Sequence, residues 1–296
     1  MTGLSGGEAW RARDMQVEWS EALPQEVLAA MRADLYAQFV DGYASLPPDA
    51  RTRLGIEQVD FGAGVLALVR SLPHPAFNLV QGFGVTSPVT EADLDALLGA
   101  VEQSRPPAWG LPLDPRTRPM DLRIMLEARG LREVFREVTL YAPASAARQA
   151  LASFTRALPE VKMVGPYNVL DVAMFITGQF GLPSEMTELA RLGLSDLGWM
   201  GYFVPGETGV SSAGFLTVGG SAALLHTAAT RPENQGQGGQ SALILRRLQE
   251  GLAQGCEHFL VDVEAGQDNP SRRNLERLGF RPVFEVPFYT AAEPAD

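Results

Sequence analysis

The chain has 296 residues, 46% of them hydrophobic and 20% charged, which is length and apolar content enough for two sizeable cores. Its formal net charge of −11 argues against general nucleic-acid binding, which needs concentrated Lys and Arg. A single cysteine, Cys256, excludes an internal disulfide framework, and one Cys with three scattered His predicts no metal site.

The N-terminal stretch "MTGLSGGEAWRARDMQVEW" has neither the apolar core of a leader nor a spanning segment, so a cytoplasmic chain with no membrane partner is expected. In chain order, "GVLALVRSLP" (64–73) and "AFNLVQGFGV" (76–85) read as strands and "TEADLDALLGAVEQ" (90–103) as a helix. "AWGLPLD" (108–114) reads as a strand, "PMDLRIMLEARG" (119–130) as a helix and "REVFREVTLYA" (132–142) as a closing strand. Thr90 can cap the first of these helices, and Glu91, Asp93 and Asp95 complement its dipole. A small-residue stretch, "APASAARQA" (142–150), then marks a boundary between units 1–147 and 148–296.

The second unit repeats this order. "GFLTVGGSAALLHTAAT" (214–230) reads as two strands joined by a Gly219–Gly220 hairpin turn. A glycine-rich loop, "TRPENQGQGGQ" (230–240), follows, and then a helix with Ser241, Leu245, Leu248 and Leu252 at helical spacing and Gly255 as its stop. "HFLVDVEA" (258–265) reads as a strand, and "DNPSRRNLERLGFRPVFEVPFYT" (268–290) as a short helix, a Gly279 cap and a final strand. "LEARGLREVF" from Leu126 and "LERLGFRPVF" from Leu275 share six of ten residues at an offset of 149.

Glycine loses more backbone entropy on folding than any other residue, so Gly236, Gly238 and Gly239 mark either a close-approach site or a bare turn. Opening a helix, they leave unpaired N–H groups and the positive end of the helix dipole accessible to an anion such as phosphate. No Lys-Ser or Lys-Thr follows them, and the spacing G-x-G-x-x-G is missing, so neither common nucleotide fingerprint is present.

Residues 199–289 resemble the GNAT superfamily of acyl-coenzyme A-dependent N-acyltransferases. "AATRPENQGQGGQSAL" is similar to the family's strand and phosphate loop, and "NPSRRNLERLGF" to its second signature. The resemblance implies an α/β fold with a mixed sheet, in two tandem GNAT-like domains of which the first lacks a cofactor loop. It further implies acetyl-CoA as cosubstrate, with Gln235, Gly236, Gln237, Gly238, Gly239, Gln240 and Ser241 holding the pyrophosphate. Ala228, Ala229 and Thr230 would offer backbone to the pantetheine arm, with Asn269 near its thiol end and Ser271 among the cofactor-binding residues. Gln240 stands where the family has a small residue, and Leu275 where it often has a tyrosine acid.

Acyl transfer to an amine needs a base for the ammonium and a proton for the leaving thiolate. His226, Asp262 and Glu264 are the candidate bases, and Tyr289 or Ser271 the candidate acids. His226 also reads as a satisfied sheet-face histidine, and Glu264 as a solvated strand end. The function implied is acetylation of a primary amine on a small molecule or peptide. The alternative is a non-catalytic acyl-CoA-binding protein with a decayed site. Oligomeric state stays open between monomer and homodimer.

Overall fold

The structure, a computed structural model, describes residues 23–266 and 269–291; the N-terminal stretch read above for a leader lies outside them. The first half opens with two helices absent from the sequence reading, α1 (Gln25–Ser45) and α2 (Pro48–Leu54). Strands β1 (Ile56–Asp60), β2 (Val65–Val69) and β3 (Leu79–Gln81) then form an antiparallel sheet in that order. Next come α3 (Glu91–Ser104), the two-residue β4 (Leu111–Pro112), α4 (Leu122–Ala128) and the long β5 (Leu131–Pro143).

The second half runs α5 (Ala144–Ser153), β6 (Lys162–Met163), α6 (Val169–Gln179) and α7 (Glu185–Asp196), then β7 (Met200–Gly206), β8 (Gly209–Gly219) and β9 (Ala222–Thr230). It closes with α8 (Gly239–Ala253), β10 (His258–Glu264), α9 (Pro270–Arg277) and β11 (Arg281–Ala291). Residues 147 and 148, the expected boundary, lie inside α5. The β8–β9 turn is the expected one, with Gly219 paired to Ala222 and Gly220 at φ +58, a left-handed conformation that costs glycine little.

The order β2-β3-α3-β4-α4-β5 is repeated as β8-β9-α8-β10-α9-β11. Both copies of the shared decapeptide end a helix at a left-handed glycine, Gly130 at φ +78 and Gly279 at φ +90, and start a strand. The two halves also exchange their closing strands. The eight-stranded sheet runs β4-β11-β5-β10-β9-β8-β7-β6, so β5 lies between β10 and β11, while β11 pairs with β4 of the first half. β5 and β11 are antiparallel, and Glu137 faces Val286, its own counterpart at the repeat offset of 149. A pseudo-two-fold axis therefore passes through that pair. Phe135 stacks on Phe288 beside it, ring centroids 4.1 Å apart.

Helix α1 lies across β8 and β9 and buries Leu28, Ala29, Arg32 and Leu35. Among the described residues no helix is long and apolar enough to cross a membrane, and no group of three or more His, Cys, Asp and Glu is placed to hold a metal ion.

Candidate active site

Strands β9 and β10 run parallel only from Ala222 to Leu225 and from His258 to Val261; beyond that they separate. The cause is local. Phe215 pairs with His226 but Ala213 with Ala229, so β9 carries one residue more than β8 at this point, and Thr227 takes φ +50. Such a bulge bends and twists its strand. Gly214 sits opposite, where a Cβ would lie 3.1 Å from the Ala228 Cβ and 3.1 Å from the Arg247 guanidinium carbon. Arg247, buried on α8, donates to the carbonyls of Phe215 at 3.0 Å, His226 at 3.5 Å and Leu243 at 3.1 Å. Its hydrogen bonds thus hold both strands at the Phe215–His226 pair where the bulge begins.

The loop after β9 fits a phosphate-bearing guest. A single 3-10 turn at Pro232–Asn234 leads into Gly236 at φ +76 and Gly238 at φ +88, and α8 starts with no side-chain cap. A Cβ added at Gly236 would meet open space, so the backbone there is approachable. A Cβ at Gly239 would come within 2.4 Å of the Ser212 hydroxyl, so this residue must be glycine for α8 to sit on β8. Gln240, expected to crowd the loop, is held sideways instead: its amide donates to Ser271 Oγ at 2.8 Å and accepts from Asn274. Gln237 donates to the Glu233 carbonyl at 3.1 Å. In the first half the equivalent helix is closed. Thr90 and Asp93 form a capping box on α3, and Glu91 and Asp95 pair with Arg129.

The separated strands open onto a cavity of about 1120 Å³ between the two halves. Its wall holds a buried charge cluster of which the sequence reading singled out only Asp262, as a candidate base. Arg32 of α1 donates from Nε to Asp262 Oδ2 and from Nη2 to Glu137 Oε2, both at 2.8 Å. Tyr36 donates to Asp262 Oδ2 at 2.7 Å, and Thr139 to Asp262 Oδ1 at 2.6 Å. The Arg32 guanidinium also lies 4.5 Å from the Tyr36 ring centroid. Burial works against the Arg32 charge, but Asp262, Tyr36 and Glu137 outweigh it and hold the group firmly protonated. Burial, reinforced by the Asp262 charge, pushes the Glu137 carboxyl up to about 7, with Arg32 opposing. Burial and the two carboxylates likewise raise the Tyr36 hydroxyl well above its usual range.

The expected residues divide between three places. Ala228, Gln240, Asn269, Ser271 and Glu264 line the cavity, together with His226. Asn269 has a structural task there, since its Oδ1 caps α9 through the Ser271 and Arg272 amides and its Nδ2 donates to the Glu264 carbonyl. Ala229, Thr230 and residues 235–241 form the path from β9 into α8. His226 is boxed by Phe39, Trp199 and Phe215, at ring distances of 5.1, 5.2 and 5.8 Å. Its Nε2 meets Thr217 Oγ1 and its Nδ1 meets Thr227 Oγ1, both at 3.1 Å. Burial, with the nearby Arg247 charge, lowers its pKa to about 3, so the ring is neutral and a weak base at neutral pH. Tyr289 lies elsewhere, on the part of β11 paired with β4 and buried in the first half's core with Leu111 and Leu126. Leu275 is buried at the cavity edge.

Glu137 and Arg32 had weak signals in the sequence. Alternation along "REVTL" puts Glu137 and Thr139 on one strand face. Arg32 interrupts an otherwise apolar stripe of Leu28, Ala29 and Leu35 on α1.

No protein-family model and no curated protein matches the chain. Solved structures do. A GCN5-related N-acetyltransferase from Kribbella flavida is similar at 16% identity and a TM-score of 0.64, over 90% of this chain and 96% of that one. A tandem GNAT protein from the clavulanic acid biosynthesis pathway is 16% identical, with a TM-score of 0.57 and coverage of 79% of each chain. A GCN5-related N-acetyltransferase from Sphaerobacter thermophilus is 12% identical, with a TM-score of 0.54 over 90% of this chain and 93% of that one. The parted β9 and β10, the glycine loop opening α8 and the repeated element order therefore belong to a GNAT fold in its tandem form.

Proposed function

We propose that the chain is an acyl-CoA-dependent N-acetyltransferase that acetylates a primary amine of a small molecule or peptide. The observation that carries this reading is the uncapped, glycine-lined N-terminus of α8, whose first-turn residue Gln240 lines the same cavity as β10 where it parts from β9. The backbone of residues 235–241 would hold the pyrophosphate, and the edge of β9 at Ala228 to Thr230 the pantetheine arm. Acetyl-CoA, when bound, supplies an activated acyl carbon. The chain's own residues orient the partners and manage protons: His226 and Arg247 support the bulge that keeps β9 away from β10, and the acceptor amine occupies the cavity between the halves.

Calorimetry with acetyl-CoA should find one site per chain. Gly238→Val should abolish it with the fold intact, because φ +88 is strained for a β-branched residue and a Cβ there would lie 3.2 Å from Leu158. Tight binding that survives this change would refute the assignment.

One observation favours a second reading, a non-catalytic acyl-CoA-binding protein: Leu275 offers no proton where a hydroxyl is common in the family. Steady-state release of free coenzyme A with a panel of amines separates the two. A thiol with a pKa of about 8.5 leaves readily as thiolate, so water or Ser271 can serve as its acid.

A further inference from the structure

We propose that the first half supplies the proton acceptor of the reaction: Glu137, on the exchanged strand β5, takes the proton from the acceptor's ammonium group. The inference rests on the acetyltransferase reading above and adds a residue to it.

Strand exchange inserts β5 beside β10, so that Glu137 pairs with Glu264 and Thr139 with Asp262 across the sheet. Same-face alternation then turns Glu137, Asp262 and Glu264 towards α1 and the cavity. Asp262 already accepts three hydrogen bonds, on Oδ1 from Thr139 and on Oδ2 from Arg32 and Tyr36, and its side chain is only 5% exposed. Among the described residues Glu137 receives a hydrogen bond from Arg32 on Oε2 alone, and its side chain keeps 22% exposure, so Oε1 is left for a guest. Arg32 thereby fixes the carboxylate's orientation while Asp262 offsets the arginine's charge. The groups facing Glu137 are Arg32 and Tyr36 from α1, Asp262 and Glu264 from β10, Thr139 from β5, and the apolar Val286 from β11. A buried cation is thus met by two nearby carboxylates, and an arriving ammonium finds an excess of acid on this wall. A carboxyl held near neutrality can accept a proton and release it again at working pH.

The step balances. The ammonium nitrogen gives its proton to Glu137 Oε1, leaving a neutral amine and a protonated carboxyl. The amine lone pair then attacks the acyl carbon. As the C–N bond forms and the C–S bond breaks, the nitrogen gives up its second proton, which passes through water to the departing thiolate, while Glu137 returns the first proton to solvent. Aromatic side chains on the cavity wall, Phe39, Tyr43, Phe77 and Trp199, suit an amine carried on an apolar body.

The test uses the full chain with acetyl-CoA and benzylamine, hexylamine, spermidine or a lysyl dipeptide. It records kcat/KM from pH 5.5 to 9.5, acetyl-CoA affinity by calorimetry, and Tm. The intact protein should show an acidic limb near pH 7 and a plateau above it. Glu137→Gln should lose about 100-fold or more at pH 7, with a rate still climbing at pH 9.5 as free amine accumulates and with acetyl-CoA affinity within about threefold. Glu137→Asp, which keeps the carboxylate one methylene further back, should retain the limb with kcat lowered about tenfold. Should Glu137→Gln not fold, an unchanged kcat in Glu137→Asp overturns the inference. A folded Glu137→Gln with intact rate and limb overturns it too, and leaves the acetyltransferase reading standing. An unmodified chain that binds acetyl-CoA and turns over none of the amines overturns both.

Discussion

Burial decides what His226 does with protons. In the unfolded chain its pKa lies near 6.5, and in the folded protein desolvation and Arg247 bring it down to about 3. Between those values the unfolded state binds more protons, so this group's contribution to stability is present above pH 6.5 and lost as pH falls towards 3. The slope is at most roughly 1.4 kcal/mol per pH unit. Glu137 acts in the opposite sense. Its folded pKa is raised to about 7, so its contribution is complete at low pH and is lost as pH rises towards 7. Urea melts of His226→Gln and the parent from pH 4.5 to 7 separate the two effects: the variant should be the less acid-sensitive, and an unchanged pH slope would show that His226 is not buried as a neutral ring.

Two helices occupy equivalent places in the repeat, and their first turns differ in kind. Helix α3 is closed by Thr90 and Asp93, which satisfy each other's backbone donors, while α8 opens on Gly238 with no side-chain cap. Loss of a capping oxygen generally costs about 0.5–2 kcal/mol. Thr90→Ala should therefore lower stability by about 1 kcal/mol in denaturant melts and leave acetyl-CoA affinity unchanged. A fall in affinity would mean that α3 takes part in binding. The uncapped start of α8 forgoes this stabilisation, and the backbone donors it leaves free are what an anionic guest requires.

At the scale of the whole molecule, the exchanged strands tie the two halves into one sheet. β5 contributes to the sheet of the second half, where removing it would leave facing edges of β10 and β11 unpaired, and β11 does the same for the first half. The chain should melt in a single transition. Separately produced fragments 1–147 and 148–296 should each fail to give a dispersed amide NMR spectrum, and mixing them during refolding should restore it. Two independently folded fragments would contradict a shared core. The same exchange sets Glu137 from one half beside Asp262 from the other, so the site's acid cluster depends on both.

Much was determined by the sequence alone. The Gly219–Gly220 turn, the left-handed glycines at 236, 238, 255 and 279, and the repeated helix-glycine-strand unit are local matters, settled by which backbone angles each residue tolerates. Periodicity located α3, α8, β2, β5 and β8 to β11 for the same reason, whereas β3 and β4 are far shorter than the strands read at 76–85 and 108–114, and α6, α7 and β7 were not read at all. Helix α1 was not legible, because its stripe carries a buried arginine whose only justification is a pair of carboxylates more than a hundred residues away. Tyr289 followed the repeat in sequence, yet β11 crosses into the other half and takes it to a different core. Which strand pairs with which is a long-range choice, made by burying the two closing strands against each other around Glu137 and Val286. Only that tertiary decision brings Arg32, Tyr36, Glu137 and Asp262 to one wall of the cavity and raises the Glu137 carboxyl towards neutrality.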